Sequence, residues 1–280
     1  MKMSEAKEAV KTQGENRKVK IQIKDVSFDY VDQKTRFGAL KNVSLDIREG
    51  EFICILGASG CGKSTLLSLL SGLNKPKSGE ILLDGKPIKG PGIDRAVVFQ
   101  QYSLFPWLTV KGNVLFGIKQ SGRKLGRQER SELADSYVES VGLASAKDRY
   151  PSQLSGGMKQ RVAVARALAL ESEVLLLDEP FGAIDPKLRL ELQELVSKLC
   201  ANYHKTVIFI THDIDEAILL ADRIVVMEPG SIRSIHKVRL PHPRVRDELS
   251  GTEEYERLHR QLISAFYDQV EDKIDAGVTL

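Results

Sequence analysis

Apolar and polar positions along this chain switch between two periods. Ile21-Gln22-Ile23-Lys24-Asp25-Val26 alternates like a strand with one exposed face, and Leu45-Asp46-Ile47 resembles another. The run from Glu51 to Leu56 is almost wholly apolar, as a strand buried on both faces should be. Lys63 to Leu73 then reads as a helix with Leu66, Leu67 and Leu70 on one side. Lys75-Pro76-Lys77-Ser78-Gly79 is turn chemistry, and Ile81 to Leu83 is a strand running into Asp84-Gly85. Ala96 to Phe99 predicts a further buried strand. From about Gln101 to Leu168 the pattern is mainly helical, with a polar loop at Ser121 to Arg130 and a helix from Ser131 to Val141 closed by Gly142. Strands return at Val174 to Leu177, Thr206 to Ile210 and Ile224 to Met227. Between the first two, Asp185 caps a helix that has Pro186 at its first position and Leu188, Leu192, Leu195 and Leu199 on one face.

Strands alternating with helices predict an α/β fold with a mostly parallel sheet covered on both faces. The helical middle, about 101–167, reads as an inserted subdomain within a main domain over 19–240. Residues 1–18 are charged and aperiodic, the pattern of a flexible tail. Residues 241–280 read as a C-terminal helical extension. Ser250 and Glu253 suggest a capping box, and Tyr255, Leu258, Leu262 and Phe266 form a stripe expected to cover the chain's own domain. Before it, Arg233, Lys237, Arg239, Arg244 and Arg246 accompany prolines at 241 and 243. A solvated connector is the expected reading, with contact to anionic lipid head groups as the lesser one.

Composition narrows the class. A net charge of +3 over 280 residues lacks the strong basic bias of a nucleic-acid binder. No apolar run approaches the roughly 20 residues that cross a bilayer. The first 20 residues show no apolar core of a signal peptide, so a cytoplasmic chain is expected. Cys54, Cys61 and Cys200 show no paired spacing, which suggests free thiols. Cys61 lies within the glycine loop considered next, where its oxidation would obstruct a ligand.

The segment Gly57-Ala58-Ser59-Gly60-Cys61-Gly62-Lys63-Ser64 fits the nucleotide loop G-x-x-x-x-G-K-[ST]. A triphosphate carries charges that must be held without steric closure. Gly57, Gly60 and Gly62 let the backbone of Ser59 and Cys61 curl so that N–H groups point inward. The helix starting at Lys63 adds its positive end. Lys63 supplies a mobile charge, and Ser64, followed by Thr65, places a hydroxyl on Mg²⁺. A plain strand–helix turn is the alternative. Val174 to Leu177 ends in Asp178 and Glu179. Asp178 suits the metal and Glu179 a water-polarising base, or the pair simply caps the next element. His212 and Gln100 each follow a strand at the same sheet edge. His212 fits a hydrogen bond to a terminal phosphate, and Gln100 fits contact with both metal and water; either is otherwise a structural polar residue. Tyr30 is a surface aromatic or a platform for adenine. Ser155-Gly156-Gly157 opens a second helix, with serine as cap and the glycines leaving its N–H groups open to an anion.

Together these residues resemble the ATP-binding subunit of an ABC transporter. The likeness runs from about Ile21 to Ile232. It includes the phosphate loop, the glutamine loop at Gln100, the signature Leu154-Ser155-Gly156-Gly157-Met158-Lys159-Gln160, the Asp178–Glu179 strand, the loop Phe181-Gly182-Ala183-Ile184-Asp185 and the switch His212. Ile184 stands where that family usually has leucine, a volume-conserving change. Leu104-Phe105-Pro106-Trp107-Leu108-Thr109-Val110 and the Gly-Gly-Met-Lys-Gln-Arg form of the signature resemble the nitrate/sulfonate/taurine importer subfamily. The resemblance implies a P-loop NTPase core with an antiparallel N-terminal β portion, and hydrolysis of ATP with Mg²⁺. It also implies a homodimer closed head to tail, each nucleotide lying between one phosphate loop and the other chain's Ser155. The cleft near Gln100 to Val110 would grip integral-membrane permease subunits at the cytoplasmic face of the membrane, where the chain sits as a peripheral protein. An extracytoplasmic solute-binding protein would deliver the solute, and no nucleic acid takes part. Two other readings differ in class. ABC ATPases acting on DNA carry a long coiled coil before the signature, and ribosomal ones carry two ATPase halves; this chain has neither. A small-molecule kinase gives no reason for the Ser-Gly-Gly helix start.

Overall fold

The structure is a computed structural model that describes residues 17–32, 35–182, 184–242, 244 and 246–275. The charged tail up to residue 16, Ala183 of the loop after the acid pair, and Pro243 of the basic stretch lie outside the described residues.

Two sheets form. In the first, β1 (Val19–Asp32), β2 (Thr35–Arg48), β4 (Ser78–Leu83) and β5 (Lys86–Pro87) pair antiparallel in the order β2-β1-β4-β5. In the second, β3 (Phe52–Gly57), β6 (Arg95–Val98), β7 (Val174–Asp178), β8 (Thr206–Thr211) and β9 (Arg223–Glu228) run parallel in the order β9-β3-β8-β7-β6. β10 (Ser231–Lys237) adds an antiparallel edge on β9. Parallel strands need cover on both faces, and the apolar runs supply it. Phe52, Cys54 and Leu56 of β3 join one core cluster, while Ile53 and Ile55 join the other. Val207 and Phe209 against Ile208 and Ile210 in β8 divide the same way. Each fully buried side chain of this kind contributes about 1.5–3 kcal/mol. α1 (Lys63–Ser71) and the antiparallel sheet cover one face. The other face receives α2 (Val110–Gln120), α3 (Arg127–Ser140), α4 (Gly156–Ala169), α5 (Pro186–Asn202) and α6 (Ile214–Leu220). α7 (Arg246–Leu249) and α8 (Glu253–Asp275) follow, and Leu249, Tyr255, Leu258 and Leu262 are buried in that same cluster.

Several boundaries differ from the sequence pattern. β1 and β2 are far longer than the short alternations suggest. Bulges break their period, with Asp25 and Asn42 at positive φ (49° and 50°). There the N–H of Asp25 donates to Ser44 Oγ and that of Asn42 to Ser27 Oγ, at 2.9 and 3.0 Å, replacing ladder bonds. α3 begins at Arg127, inside the expected loop, because Glu129 reaches back to accept from the N–H of Gly126 at 2.6 Å. α1 stops at Ser71, where Gly72 turns left-handed.

The basic stretch is not a solvated connector. Arg233 and Lys237 belong to β10. Arg244 is largely buried, and its guanidinium donates to the carbonyls of Ile218 (3.0 Å), Ala221 (2.5 Å) and Leu240 (3.1 Å). It thereby satisfies carbonyls that α6 leaves open at its end. Burial pulls its pKa down to about 10. Arg246 pairs with Asp215. With Arg244 used inside the fold and Arg246 paired at its surface, the lipid reading loses two of its five charges. The expected capping box is also absent. Ser250 donates to the carbonyl of Arg246, and Thr252 caps α8 by accepting from the N–H of Tyr255 at 3.4 Å. No described helix is long and apolar enough to cross a membrane.

Candidate active site

β3 feeds the chain into the phosphate loop at a point with no room for side chains. A Cβ on Gly57 would lie 2.6 Å from Cys61 Sγ and 2.9 Å from the carbonyl oxygen of Met227. Gly62 has φ of 112°, and a Cβ there would meet the carbonyl oxygen of Ala39 at 2.8 Å. Only glycine meets both demands. Gly62 is also the N-cap of α1 and has no side chain to occupy the helix's first amides. Ser59 and Gly60 form the exposed rim. The Cys61 side chain is buried in the core cluster beneath the loop, and all three cysteines are buried. Lys63 is 5% exposed. Its ammonium donates to the carbonyls of Gly57 (2.8 Å) and Ala58 (3.0 Å) and lies 4.0 Å from Glu179 Oε1. Thr65 is buried, with Oγ1 3.2 Å from the Tyr30 hydroxyl. Phe37 lies opposite Tyr30 across the hairpin and is 64% exposed, an aromatic pair that the sequence pattern did not single out.

β7 ends beside this loop. Ser64 Oγ donates to Asp178 Oδ1 at 3.4 Å. Burial, followed by the negative charge of Glu179, raises the Asp178 pKa; Ser64 and Lys63 oppose the rise. A carboxylate and a hydroxyl side by side are hard oxygen donors of the kind Mg²⁺ takes, so these residues fit the ion. No group of three or more His, Cys, Asp or Glu side chains that could hold a metal occurs among the described residues, so phosphate and water would complete its shell. Glu179 sits at positive φ (42°), a strained conformation for a non-glycine residue, and its N–H donates to the carbonyl of Ile210 at 3.1 Å. That turn sets its carboxylate 3.3 Å from His212 Nδ1. The His212 side chain is largely exposed. Gln100 follows β6, and a Cβ on Gly182 would lie 3.6 Å from its Nε2 and 3.9 Å from Glu179 Oε2. One sheet edge therefore gathers Lys63, Ser64, Asp178, Glu179, His212 and Gln100.

Ser155, Gly156 and Gly157 lie elsewhere. Ser155 caps α4 by accepting from the N–H of Met158 at 3.3 Å. Gly156 is exposed. Gly157 is buried, and a Cβ on it would come within 2.1 Å of Leu188 Cδ2, so this glycine lets α4 approach α5. No hydrogen bond or ion pair among the described residues joins this helix start to the phosphate-loop cluster. Sequence reasoning also passed over the groups behind His212. Arg189 pairs with Asp213 at 3.5 Å, and Glu216 is buried below. Their positions in the first turns of α5 and α6 made them look like ordinary surface charges.

Comparison with known proteins agrees with this layout. The family described as ABC transporter matches residues 40–182. Over 232 residues the chain is 46% identical to the nitrate import ATP-binding protein NrtD of Synechococcus elongatus, covering 82% of this chain and 85% of that one. It is 49% identical over 228 residues to the bicarbonate transport ATP-binding protein CmpC of the same species, covering 80% of this chain but 34% of that longer protein. Among solved structures, a dimeric post-hydrolysis state of an ATP-binding cassette bound to ADP and Pi superposes with a TM-score of 0.71 at 35% identity, covering 79% of this chain and all of the other. This chain's α/β core, with a largely parallel sheet and an antiparallel β portion, is matched by solved ATP-binding cassettes. The chain belongs to the ABC transporter family, as an ATP-binding cassette that hydrolyses ATP with Mg²⁺.

Proposed function

We propose that this chain powers an importer as a head-to-tail homodimer on membrane-embedded permease subunits, at the cytoplasmic face of the membrane. The observation that carries the reading is the Glu179 carboxylate, set between Lys63 and His212 and next to the Ser64–Asp178 pair. In this reading the amides of Gly57 to Gly62 and the Lys63 ammonium bind the terminal phosphates. Lys63 exchanges its two loop carbonyls for phosphate oxygens, so its charge is held ready at little ordering cost. Ser64 and Asp178 hold Mg²⁺, with Gln100 beside them; bound there, the ion supplies positive charge to the phosphate oxygens. Glu179 accepts the proton of the attacking water. His212 orients that carboxylate and donates to the terminal phosphate. Tyr30 stacks on adenine, with Phe37 as a second apolar face. Ser155 and the amide of Gly156 from a second copy close the site over the phosphates, and Gly157 keeps that helix seated.

The subfamily likeness supports import. One relative is named for nitrate and the other for bicarbonate. Both are small oxyanions, and we place the solute among small oxyanions or sulfonate-type solutes such as nitrate, alkanesulfonate or taurine. Selectivity then resides in the permease and an extracytoplasmic binding protein. Purifying the tagged chain from native membranes tests the assembly: the permease should co-purify, and ATPase activity should rise with solute-loaded binding protein. A chain that fractionates without any membrane partner would overturn the importer reading.

A further inference from the structure

Glu216 is 5% exposed and lies in α6. A buried carboxylate is costly unless hydrogen-bonded, and this one is bonded on both oxygens. Oε1 accepts from Gln193 Nε2 of α5 at 2.8 Å, and Oε2 accepts from the hydroxyl of Thr211 at the end of β8. The N–H of Glu216 donates to Asp213 Oδ1 at 3.0 Å, and Thr211 Oγ1 accepts from the N–H of Asp213 at 3.0 Å. Asp213 pairs in turn with Arg189 of α5. His212 stands between Thr211 and Asp213, so both residues flanking it are held by this network. A narrow cleft lined by Glu179, His212, Arg189 and Glu216 joins the network to the acid–histidine pair.

Simple cohesion of α6 does not require a carboxylate. Ala217, Ile218 and Leu220 already bury that helix against the sheet, and apolar residues do so without desolvating a charge. What a carboxylate adds is direction, since two donors on separate elements must converge on it at fixed angles. We propose that Glu216 is a positioning residue for hydrolysis: by tying Thr211 to α5, it fixes the His212 ring against the Glu179 carboxylate. The inference rests on the proposed roles of His212 and Glu179. Burial pushes the Glu216 carboxyl up, and the Thr211 and Gln193 donors oppose that shift.

The test is steady-state Mg-ATPase kinetics on the purified full chain, well below its melting temperature. Glu216→Ala should lower kcat about tenfold or more while KM for ATP stays within about twofold, because Lys63, Ser64 and Tyr30 are untouched. Glu216→Gln keeps an acceptor for Thr211, and Gln193 can turn its amide to meet the new one; it should recover most of the rate. The decisive measurement is the double variant. If Glu216 acts through His212, then Glu216→Ala should cost no more than about twofold in a His212→Ala background. Losses that multiply in the double variant overturn the inference alone. An unimpaired His212→Ala chain overturns the role of His212 and this inference with it. Should Glu216→Ala fail to fold, Thr211→Val removes one donor and enters the same cycle with the same criteria.

Discussion

Helices α1 and α4 both start beside glycines, and they start differently. α1 starts at Gly62, a left-handed residue with no side-chain cap, and a buried lysine rests on the carbonyls of its own loop. α4 starts at Ser155, whose hydroxyl already holds one amide, and Leu188 fills the space beside its second glycine. Both ends offer partial positive charge to an anion. Among the described residues, the first has a hydroxyl, two carboxylates and an imidazole gathered beside it, those of Ser64, Asp178, Glu179 and His212. The second is a capped helix start with no acid or base bonded to it among the described residues. On the proposed reading, the difference means that one chain carries both halves of a nucleotide site without bringing them together. A second copy, related by a two-fold axis, would complete two sites at once.

Removing the chemistry from one half should leave the other half working. Glu179→Gln is expected to lower kcat by about 10²–10⁴-fold. ATP-dependent pairing should persist, read as a shift to dimer on size-exclusion chromatography with ATP. Loss of pairing in that variant would mean that the two helix starts are not separable. Complementation sharpens the point. Lys63→Ala disables the first half, and Gly157→Val disables the second by forcing a side chain into Leu188. Each alone should be inactive in phosphate release. Mixed one to one, half the dimers are heterodimers with one intact composite site in two, so about a quarter of the wild-type rate should return. A mixture as inactive as its components would break the comparison.

How legible these regions were in the sequence follows from how local their causes are. The phosphate loop, the Asp185-Pro186 helix start and the paired apolar runs were readable because each depends on neighbours within a few residues. The long β1–β2 hairpin was not, since its bulges at Asp25 and Asn42 break the period that marks a strand. Arg244 has the pattern of a surface charge and is largely buried, because the carbonyls of Ile218 and Ala221 that it reaches lie more than 20 residues upstream. The packing demand for glycine at 157 is not visible locally, because its neighbour Leu188 comes from another helix. Glu216 resembled the acid common in a first helical turn, and its partner Gln193 lies 23 residues away. Ser155 illustrates the local case. Ser155→Ala should cost about 1 kcal/mol of stability through the lost cap. It should also weaken ATP-dependent pairing, while a single chain still binds nucleotide, as titration with a fluorescent ATP analogue below the pairing concentration would read.

The smallest effect separates the halves by charge alone. Burial and Glu179 raise the Asp178 pKa above its ordinary 3.8. The folded chain then keeps a proton that the unfolded chain has already released. The stability this group contributes is present in full below 3.8 and is lost as pH rises through the folded value. At neutral pH the nucleotide-free protein therefore carries an ionised carboxylate it would be more stable without, and a bound cation relieves that cost. Asp178→Asn keeps an acceptor for Ser64 and should raise Tm slightly at pH 7 without nucleotide, the gain closing as the pH falls toward 4. It should also abolish the additional stabilisation by Mg-ATP over ATP alone. Ser155→Ala removes no titratable group, so its Tm offset should be flat over the same range. Parallel pH profiles for the two variants, or a Tm loss in Asp178→Asn at pH 7, would show that the first half is not electrostatically strained and that the contrast between the two helix starts lies in geometry alone.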